Sequence, residues 1–324
     1  MVRSPVPEVV VVGAGVCGLT VAVRLAELGV PVHVIAELGP GKSTSAAAGA
    51  IWDPQQADHP HRIDWAMTSF GVFARMARSR HPAVRMLDAI EASRVPVEAP
   101  GWATSLPGFA ECRPSDLPPG FAGGWRFRAP VIDMPRYLAG LQRRLRQSGG
   151  KLRTGRRLTD LTEAFDAAPI VVNCTGIGAA ELVADHDLEP VRGRLVVVRN
   201  PGRTVSFAEH TDPEGPLTYL LPHGDVLVLG GSAEKGETDP VDRADEVTRE
   251  IRRRCAAIFP EVAGAKVLGY RAGIRPKRTT VRLEYEKHPG GHLVHNYGHG
   301  GSGVTLSHGC AVEVVRIVQR LRAA

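Results

Sequence analysis

The chain has 324 residues, of which 23% are charged and 5% aromatic, and its formal net charge is +6. The basic residues are scattered rather than gathered in one stripe with interleaved aromatics, which argues against a nucleic-acid-binding protein. The apolar run Val9–Val12 is too short for a signal peptide, and no run approaches the ~20 residues of a membrane span. The length is sufficient for two domains.

The spacing of cysteine and histidine gives no support for a disulfide scaffold or a metal site. The five cysteines are odd in number and show no C-x-x-C spacing, which favours reduced thiols in a cytoplasmic protein. His59 and His61 are close in sequence, as are His295 and His299, but neither pair has cysteine partners at ligand spacing. We therefore predict no metal.

The N-terminal segment predicts a βαβ unit. Residues 8–12 are a β-branched run typical of a buried parallel strand. An apolar helix over residues 19–28 ends at Gly29, and residues 30–35 form a second buried strand. The crossover between the strands is expected to be right-handed.

Further elements follow from apolar periodicity. Residues 39–50 are expected to form a small-residue loop, and residues 94–130, rich in Pro, Gly and Trp, irregular strands and turns. Helices are predicted at residues 62–80, 134–148, 242–259 and 303–321. Strands are predicted at residues 170–173, 267–270, 281–284 and 293–295, with a separate antiparallel sheet from residues 195–199, 218–221 and 226–229.

The turn after the first strand matches the pattern G-x-G-x-x-G at Gly13, Gly15 and Gly18. Gly13 permits the tight turn, Gly15 lets the backbone approach a pyrophosphate, and Gly18 lets helix and strand pack closely. The pyrophosphate is then expected at the helix N-terminus, where free N–H groups favour negative charge. Glu37, at the end of the second strand, can accept hydrogen bonds from the adenosine ribose. The pattern predicts a dinucleotide but does not choose between FAD and NAD.

A second glycine cluster, His295-Asn296-Tyr297-Gly298-His299-Gly300-Gly301-Ser302-Gly303-Val304-Thr305, opens the last predicted helix. Its glycines and the Thr305 hydroxyl suit a second close approach of backbone to ligand. The helix N-terminus can stabilise negative charge on the N1–C2=O edge of a flavin. A nicotinamide-binding fold does not need this loop, so the cluster favours FAD. The alternative is a flexible turn with a histidine cap.

Over nearly its whole length the chain resembles the D-amino acid oxidase family, within the wider glutathione-reductase-like flavoproteins. The motifs follow the family's order, namely the Gly13–Gly18 turn with Glu37, Ser43-Thr44-Ser45, Ala47-Ala48-Gly49-Ala50-Ile51-Trp52, Asn173-Cys174-Thr175-Gly176, Tyr219-Leu220-Leu221-Pro222, Leu229-Gly230-Gly231, Gly273-Ile274-Arg275-Pro276 and the second glycine cluster. The resemblance implies FAD held by Gly13, Ala14, Gly15, Val16, Cys17, Gly18, Glu37, Ser43, Thr44, Ser45, Ala48, Gly49, Ile51, Thr175, Gly176, Gly273, Arg275, Gly300, Gly301, Ser302, Gly303, Val304 and Thr305.

The resemblance also implies the reacting groups. Arg275 matches the family's carboxylate-binding arginine, and its planar fork suits two hydrogen bonds to a carboxylate. A structural ion pair with Glu284 or Glu286 is the alternative. Tyr219 matches the substrate-side tyrosine, and the Gly301 carbonyl is implied to accept a hydrogen bond from the amine. With a neutral amine, hydride can leave Cα for flavin N5, so orientation supplies most of the catalysis.

Three positions depart from the family. Gly215 stands where the family often has a lid tyrosine. Asp53 replaces a residue that is more often uncharged, and it favours a cationic or amine-bearing side chain if it faces the pocket. Ala233 stands near the strand where acidic-substrate oxidases carry an arginine, so neutral or basic D-amino acids are expected. The expected substrate pocket comprises Ile51, Asp53, Tyr219, Arg275 and Ser302.

The predicted fold is α/β. A Rossmann-type, glutathione-reductase-like FAD-binding domain is expected from residues 1–55, 134–190 and 275–324. A second, antiparallel-sheet substrate domain is expected from residues 56–133 and 191–274. The family often forms homodimers, and no membrane partner is expected.

The predicted function is a cytoplasmic FAD-dependent oxidase in D-amino acid catabolism. It converts a small D-amino acid to an imino acid, which water hydrolyses to a 2-oxo acid and ammonia. Dioxygen is the acceptor and hydrogen peroxide the second product. The alternatives are a related amine oxidase for glycine, N-methyl or cyclic amino acids, a flavin-binding protein without oxidase turnover, and an NAD-dependent dehydrogenase.

Overall fold

Four consecutive buried valines, Val9–Val12, form a central strand in the computed structural model, which describes residues 7–212, 217–239 and 245–323. Within these residues the strands are β1 (Val9–Val12), β2 (Val32–Ala36), β3 (Val84–Ser93), β4 (Ala110–Glu111), β5 (Gly123–Ile132), β6 (Lys151–Thr154), β7 (Ile170–Asn173), β8 (Glu189–Arg199), β9 (Ser206–Glu209), β10 (Tyr219–His223), β11 (Val226–Gly230), β12 (Glu234–Lys235), β13 (Val267–Lys277), β14 (Arg282–His288) and β15 (Gly291–Tyr297). The helices are α1 (Val16–Glu27), α2 (Thr44–Ala47), α3 (Arg62–Arg78), α4 (Gly101–Thr104), α5 (Met134–Gln147), α6 (Thr162–Phe165), α7 (Ala179–Leu182), α8 (Glu246–Ile258) and α9 (Gly303–Ala323).

The predicted βαβ unit is confirmed and lies at the centre of a six-stranded sheet. The strand order is β14-β15-β7-β1-β2-β6, and β1 pairs in parallel with both β2 and β7. Val9 and Val11 belong to the core that contains α1, whereas Val10 and Val12 pack with Leu161 on the opposite face. Because both faces of the strand are covered, its sequence is apolar at every position.

The second sheet contains the antiparallel strands predicted from the middle of the chain. Its order is β12-β8-β11-β10-β9-β3-β5-β4, with β13 also paired to β8. The pairing of β3 with β9 is parallel, and the other pairings are antiparallel. Helix α8 packs Ile251 and Cys255 against one face of this sheet, together with Phe207 and Leu229. The other face is turned towards the segments that carry the predicted site.

Several predicted boundaries were wrong. No strand is predicted at β3, and residues 94–130 are expected to form irregular strands and turns, whereas β5 is a regular ten-residue strand. In β5, Trp125, Phe127 and Ala129 alternate inward, but two glycines and a proline obscure the pattern. Gly124 is needed because a Cβ there would lie 2.5 Å from the Glu91 carbonyl oxygen of β3.

Other elements begin or end elsewhere than expected. The loop predicted at residues 39–50 contains the short helix α2. β13 continues to Lys277, so the predicted domain boundary at residue 275 falls inside a strand, and the domain division stays a prediction. Helix α8 begins after an Asp245 cap that accepts the Thr248 N–H, while residues 240–244 lie outside the described residues. None of the helices within the described residues is long and apolar enough to cross a membrane.

A buried histidine joins three helices beside the first sheet. The Nε2 atom of His308 in α9 lies 2.8 Å from the Tyr137 hydroxyl of α5. The Ser69 hydroxyl of α3 accepts the backbone N–H groups of His308 and Gly309. Burial, followed by the charges of nearby arginines, lowers the pKa of His308 from 6.5 to about 3. The imidazole is therefore neutral in the folded protein.

We predict that His308 makes the free energy of unfolding fall as the pH drops below 6.5. Below pH 6.5 the His308 imidazole binds a proton in the unfolded chain but not in the folded chain. The contribution of His308 to the free energy of unfolding is therefore fully present above pH 6.5, and below that pH it falls by about 1.4 kcal/mol per pH unit. In His308→Gln, an amide retains a partner for Tyr137, and the slope between pH 6.5 and 4.5 should be flatter by this amount. Urea unfolding at several pH values measures both slopes. Equal slopes for the two proteins would contradict the prediction.

Candidate active site

The first glycine turn brings helix α1 close to the strand before it. Gly13 has a φ of +111°, and a Cβ at Gly18 would lie 2.1 Å from the Gly13 carbonyl oxygen. Gly15 precedes the helix, and the Val16 N–H donates to the Ser45 hydroxyl at 3.0 Å. The first turn of α1, Val16–Leu19, is uncharged. Because the turn before the helix carries no side chains at its glycines, a pyrophosphate group can approach the backbone N–H groups of the helix N-terminus.

The ends of β2 and β7 complete the dinucleotide side. Glu37 is half exposed after β2, with Oε1 3.8 Å from Arg157 Nη1, so its carboxylate is open to a ribose. The Thr175 hydroxyl after β7 donates to Asn173 Oδ1 at 2.7 Å. A Cβ at Gly13 would lie 2.4 Å from the Cys174 carbonyl oxygen, so the first turn and the β7 end are in contact.

The second glycine cluster lies beside the first. The Cys17 thiol, next to Gly18, donates to the Gly303 carbonyl at 3.6 Å. Gly300, with a φ of +51°, donates its N–H to the Pro276 carbonyl at 2.9 Å, directly after Arg275 in β13. The Gly301 N–H donates to the Gln56 carbonyl at 3.3 Å. The cluster therefore connects the dinucleotide turn to the strand that carries Arg275.

The segment between residues 43 and 53 bridges the two sheets. The Thr44 hydroxyl donates to the Ile274 carbonyl at 3.0 Å, and Gly273 lies against Thr44 and Ala47. Ile51 packs against the apolar cluster that includes Tyr219. The other predicted residues of the segment are Ser43, Ala48 and Gly49. The Ser43 hydroxyl donates to the Pro40 carbonyl, and Ala48 packs against the core that contains α1. Gly49 lies close to the Tyr219 ring of β10.

Asp53 is held against the start of α9. Its N–H donates to the Thr305 hydroxyl at 3.0 Å, and its carbonyl accepts the Ser302 hydroxyl at 3.2 Å. Burial raises the pKa of the Asp53 carboxyl, and hydrogen bonding from Gln55 and the charge of His210 oppose this rise. The Asp53 Oδ1 atom accepts the Gln55 N–H at 2.8 Å. Val304 is buried in the helix beside it.

Arg275 and Tyr219 converge on one face of the larger sheet. The Arg275 guanidinium lies over Gly193, where a Cβ would come within 2.4 Å of Cζ, and its Nη1 donates to the Ser232 carbonyl at 2.8 Å. The Tyr219 ring covers Gly230 in the same way. Burial raises the pKa of the Tyr219 hydroxyl, while the adjacent Arg275 opposes the rise. A protonated hydroxyl and a guanidinium thus form two neighbouring donors, which suits a carboxylate.

A buried ionic network that the sequence analysis missed supports Arg275. The Ser232 hydroxyl donates to Glu234 at 2.6 Å, and Arg192 and Arg194 both bind the Glu234 carboxylate, at 2.6 and 2.8 Å. Arg194 also pairs with Asp245 at the start of α8. These partners hold Ser232, whose carbonyl orients Arg275. The register between β8 and β12 brings them together, and no local sequence pattern specifies that register.

The residues present fit FAD. Two glycine-rich helix starts, at α1 and α9, lie side by side, and the Glu37 carboxylate lies at the end of the adjoining strand. The Gly215 prediction cannot be compared with the structure, since residues 213–216 lie outside the described residues. No group of three or more His, Cys, Asp or Glu side chains within residues 7–212, 217–239 and 245–323 could hold a metal ion.

The fold and the paired helix starts define a dinucleotide-binding protein with a second, mostly antiparallel sheet. The sequence profile of the DAO family, the FAD dependent oxidoreductases, matches residues 8–317, and the chain belongs to this family. FAD is its cofactor, and both the resemblance and the fold class predicted from the motifs are confirmed. The roles of the individual site residues stay predictions.

Relatives and solved structures agree with this assignment. The chain is 46% identical over 319 residues to a D-amino-acid oxidase of Rubrobacter xylanophilus, and 44% identical over 319 residues to one of Streptomyces coelicolor. Each alignment covers 96% of both proteins. The structure is similar to glycine oxidase from Bacillus cereus ATCC 14579, with a TM-score of 0.79, 17% identity and coverage of 97% of this chain and 95% of that one. The last likeness is one of fold.

Proposed function

We propose that the protein is a D-amino-acid oxidase. The observation that carries the proposal is the convergence of Arg275 and Tyr219 on one sheet face, beside the second glycine cluster. The relatives named D-amino-acid oxidase, at 46% and 44% identity over nearly the whole chain, support it. The overall reaction takes a D-amino acid, dioxygen and water to a 2-oxo acid, ammonia and hydrogen peroxide.

The chain's own residues bind and orient the substrate. Arg275 binds the α-carboxylate through its fork, and the protonated Tyr219 hydroxyl donates to the same group. The Gly301 carbonyl accepts a hydrogen bond from the neutral amine, which directs Cα–H towards the cofactor. FAD, when bound, would supply the acceptor for the Cα hydride and the redox chemistry that reduces dioxygen. Orientation by these residues converts the reaction into an effectively unimolecular one.

We predict that D-amino acids, and not their mirror images, bleach the bound flavin without oxygen. The test is an anaerobic absorbance screen over both enantiomers of the common amino acids, together with glycine, sarcosine and D-proline. Admitting air should restore the yellow colour and yield hydrogen peroxide. Faster bleaching by glycine, sarcosine or D-proline than by any other D-amino acid would instead identify the related amine oxidase. No bleaching by any compound would identify a flavin-binding protein without turnover.

We also propose a cytoplasmic location, a role in D-amino acid catabolism and a homodimer. The odd cysteine count without paired spacing supports the first, and the family resemblance supports the other two. Light scattering on the purified protein measures the oligomeric state.

A further inference from the structure

Helix α8 packs on the face of the larger sheet opposite to that of Tyr219. In β10, Leu220 packs with Cys255 of α8, whereas its neighbours Tyr219 and Leu221 belong to the apolar cluster on the other face. This is the alternation expected along a strand. Groups of α8 can therefore contact the backbone that carries Tyr219 from behind, without entering the substrate site.

The Arg254 side chain of α8 connects two adjacent chain segments on this rear face. Its Nη2 donates to the Gly231 carbonyl at 2.8 Å, directly after β11. Its Nε donates to the Thr218 hydroxyl at 3.3 Å, directly before β10. Only 20% of the Arg254 side chain is exposed. A guanidinium presents several donors in one rigid plane, so it fixes two acceptors relative to each other in a way that a single ammonium group does not.

The two acceptors directly precede the residues on which substrate binding depends. Thr218 precedes Tyr219 in the chain. Gly231 precedes Ser232, whose carbonyl accepts a hydrogen bond from Arg275 Nη1 at 2.8 Å. The two segments are also close at this level, because a Cβ at Gly231 would lie 3.2 Å from the Tyr219 hydroxyl. A displacement of either segment therefore changes the distance between the Tyr219 hydroxyl and the Arg275 guanidinium.

Cys255 adds a second contact between α8 and the same pair of strands. Its thiol lies 3.8 Å from the Tyr219 carbonyl oxygen and 3.9 Å from the Gly230 carbonyl oxygen. Tyr219 and Gly230 are directly opposed in the pairing of β10 with β11, and Cys255 is fully buried. The consecutive residues Arg254 and Cys255 thus fix the helix against the strand pair at the level of the Tyr219 ring.

We infer that Arg254 is a positioning residue of the substrate site, which aligns the Tyr219 hydroxyl and the Arg275 guanidinium for a single α-carboxylate. This inference rests on the proposed function and adds a residue to it. Arg254 acts through the backbone of the sheet and does not touch the substrate. Two donors bind one carboxylate well only when their separation and direction match its two oxygens, so a loss of alignment weakens carboxylate binding.

The experiment replaces Arg254 by methionine, whose side chain is long but donates no hydrogen bond. With the D-amino acid that bleaches the flavin fastest, KM should rise about 10-fold because the carboxylate donors are misaligned. The kcat should change little, since these donors hold the carboxylate in the ground state and in the transition state alike. The Kd of the corresponding 2-oxo acid, measured by its effect on the absorbance of the oxidised flavin, should rise by the same factor. Arg254→Lys keeps the charge but not the plane and should give an intermediate KM.

Arg253→Met is the matched control. The Arg253 side chain is 72% exposed and its Nε pairs with Glu250 at 2.6 Å, so the variant removes the same charge one residue away. It should keep the wild-type KM and Kd. Thr218→Val removes only one acceptor of Arg254 and should raise KM about 3-fold, the effect of one lost hydrogen bond. The double variant Arg254→Met/Thr218→Val should equal Arg254→Met, because both substitutions remove the same contact.

The outcomes separate this inference from the proposed function. A wild-type KM in Arg254→Met overturns the positioning role, and so does a lower kcat at unchanged KM, which indicates a smaller fraction of folded enzyme. An equal rise of KM in Arg253→Met would show that charge, and not alignment, is responsible. If Arg254→Met cannot be purified with flavin, an unchanged KM in Thr218→Val overturns the inference. Oxidation of no D-amino acid by wild type overturns the proposed function itself.

Discussion

Replacing Arg275 by alanine is expected to lower kcat/KM for D-amino acids by about 100-fold or more while leaving the flavin bound. Hydrogen bonds to a charged group contribute about 1.5–3 kcal/mol each, and the arginine fork makes two with one carboxylate. The guanidinium is held on Gly193 by the Ser232 carbonyl, so it is already oriented before substrate arrives. Steady-state peroxide production and anaerobic bleaching measure the loss.

Two further variants define what the arginine does. Arg275→Lys keeps the charge but not the planar fork, so its activity should lie between those of wild type and the alanine variant. Lys277→Ala removes an exposed cation on the same strand, 4.0 Å from Glu189, and should behave as wild type. Unchanged kcat/KM in Arg275→Ala, with normal flavin absorbance, would show that the carboxylate is bound elsewhere.

Gly18→Ala is expected to yield protein with little or no FAD. A Cβ at residue 18 would lie 2.1 Å from the Gly13 carbonyl oxygen and 3.3 Å from Cys174 Cβ, and the first of these is backbone that cannot rotate away. Helix α1 must then shift, and its N–H groups leave the position suited to a pyrophosphate. We expect the FAD Kd to rise by roughly 30-fold or more, equivalent to about 2 kcal/mol.

The control for Gly18→Ala is the same substitution at a glycine where an added Cβ would meet no neighbouring atom. Gly264 has no atom within 4 Å of an added Cβ, so Gly264→Ala should be purified as yellow as wild type. Fluorescence titration of the apoprotein with FAD measures both dissociation constants. Wild-type affinity in Gly18→Ala would mean that the turn has room for a methyl group and that the predicted close packing is wrong.

The cofactor side of this protein could be predicted from sequence because its signals are local. The valines of β1, the glycines of the first turn and the end of α1 lie within one βαβ unit, and a helix and two strands of that size specify their own contacts. The second glycine cluster likewise combines a strand end, a turn and a helix start in consecutive residues. Glu37 belongs to the same unit. The motif order then indicates the family.

In β5 the sequence does contain the alternating pattern of a strand, but neighbouring glycine and proline residues obscure it. Trp125, Phe127 and Ala129 face inward at every second position, as a strand requires. Gly124 precedes them because β3 approaches closely there, and Gly123 and Pro130 further interrupt the pattern. The glycine that tertiary packing demanded therefore contributed to making the segment resemble a turn.

The nucleotide-binding unit, the family and Arg275 as a candidate could all be predicted from the order of the residues along the chain. The surroundings of that arginine could not: the support from Ser232 and Glu234, and the contacts of Arg254 behind Tyr219, appear only in the folded protein. The periodicity of a strand reports which of its residues point to one side, but it carries no information about which distant strand lies next to it or in which register. The substrate side is built from such long-range pairings, and its chemistry therefore appears only in the folded chain.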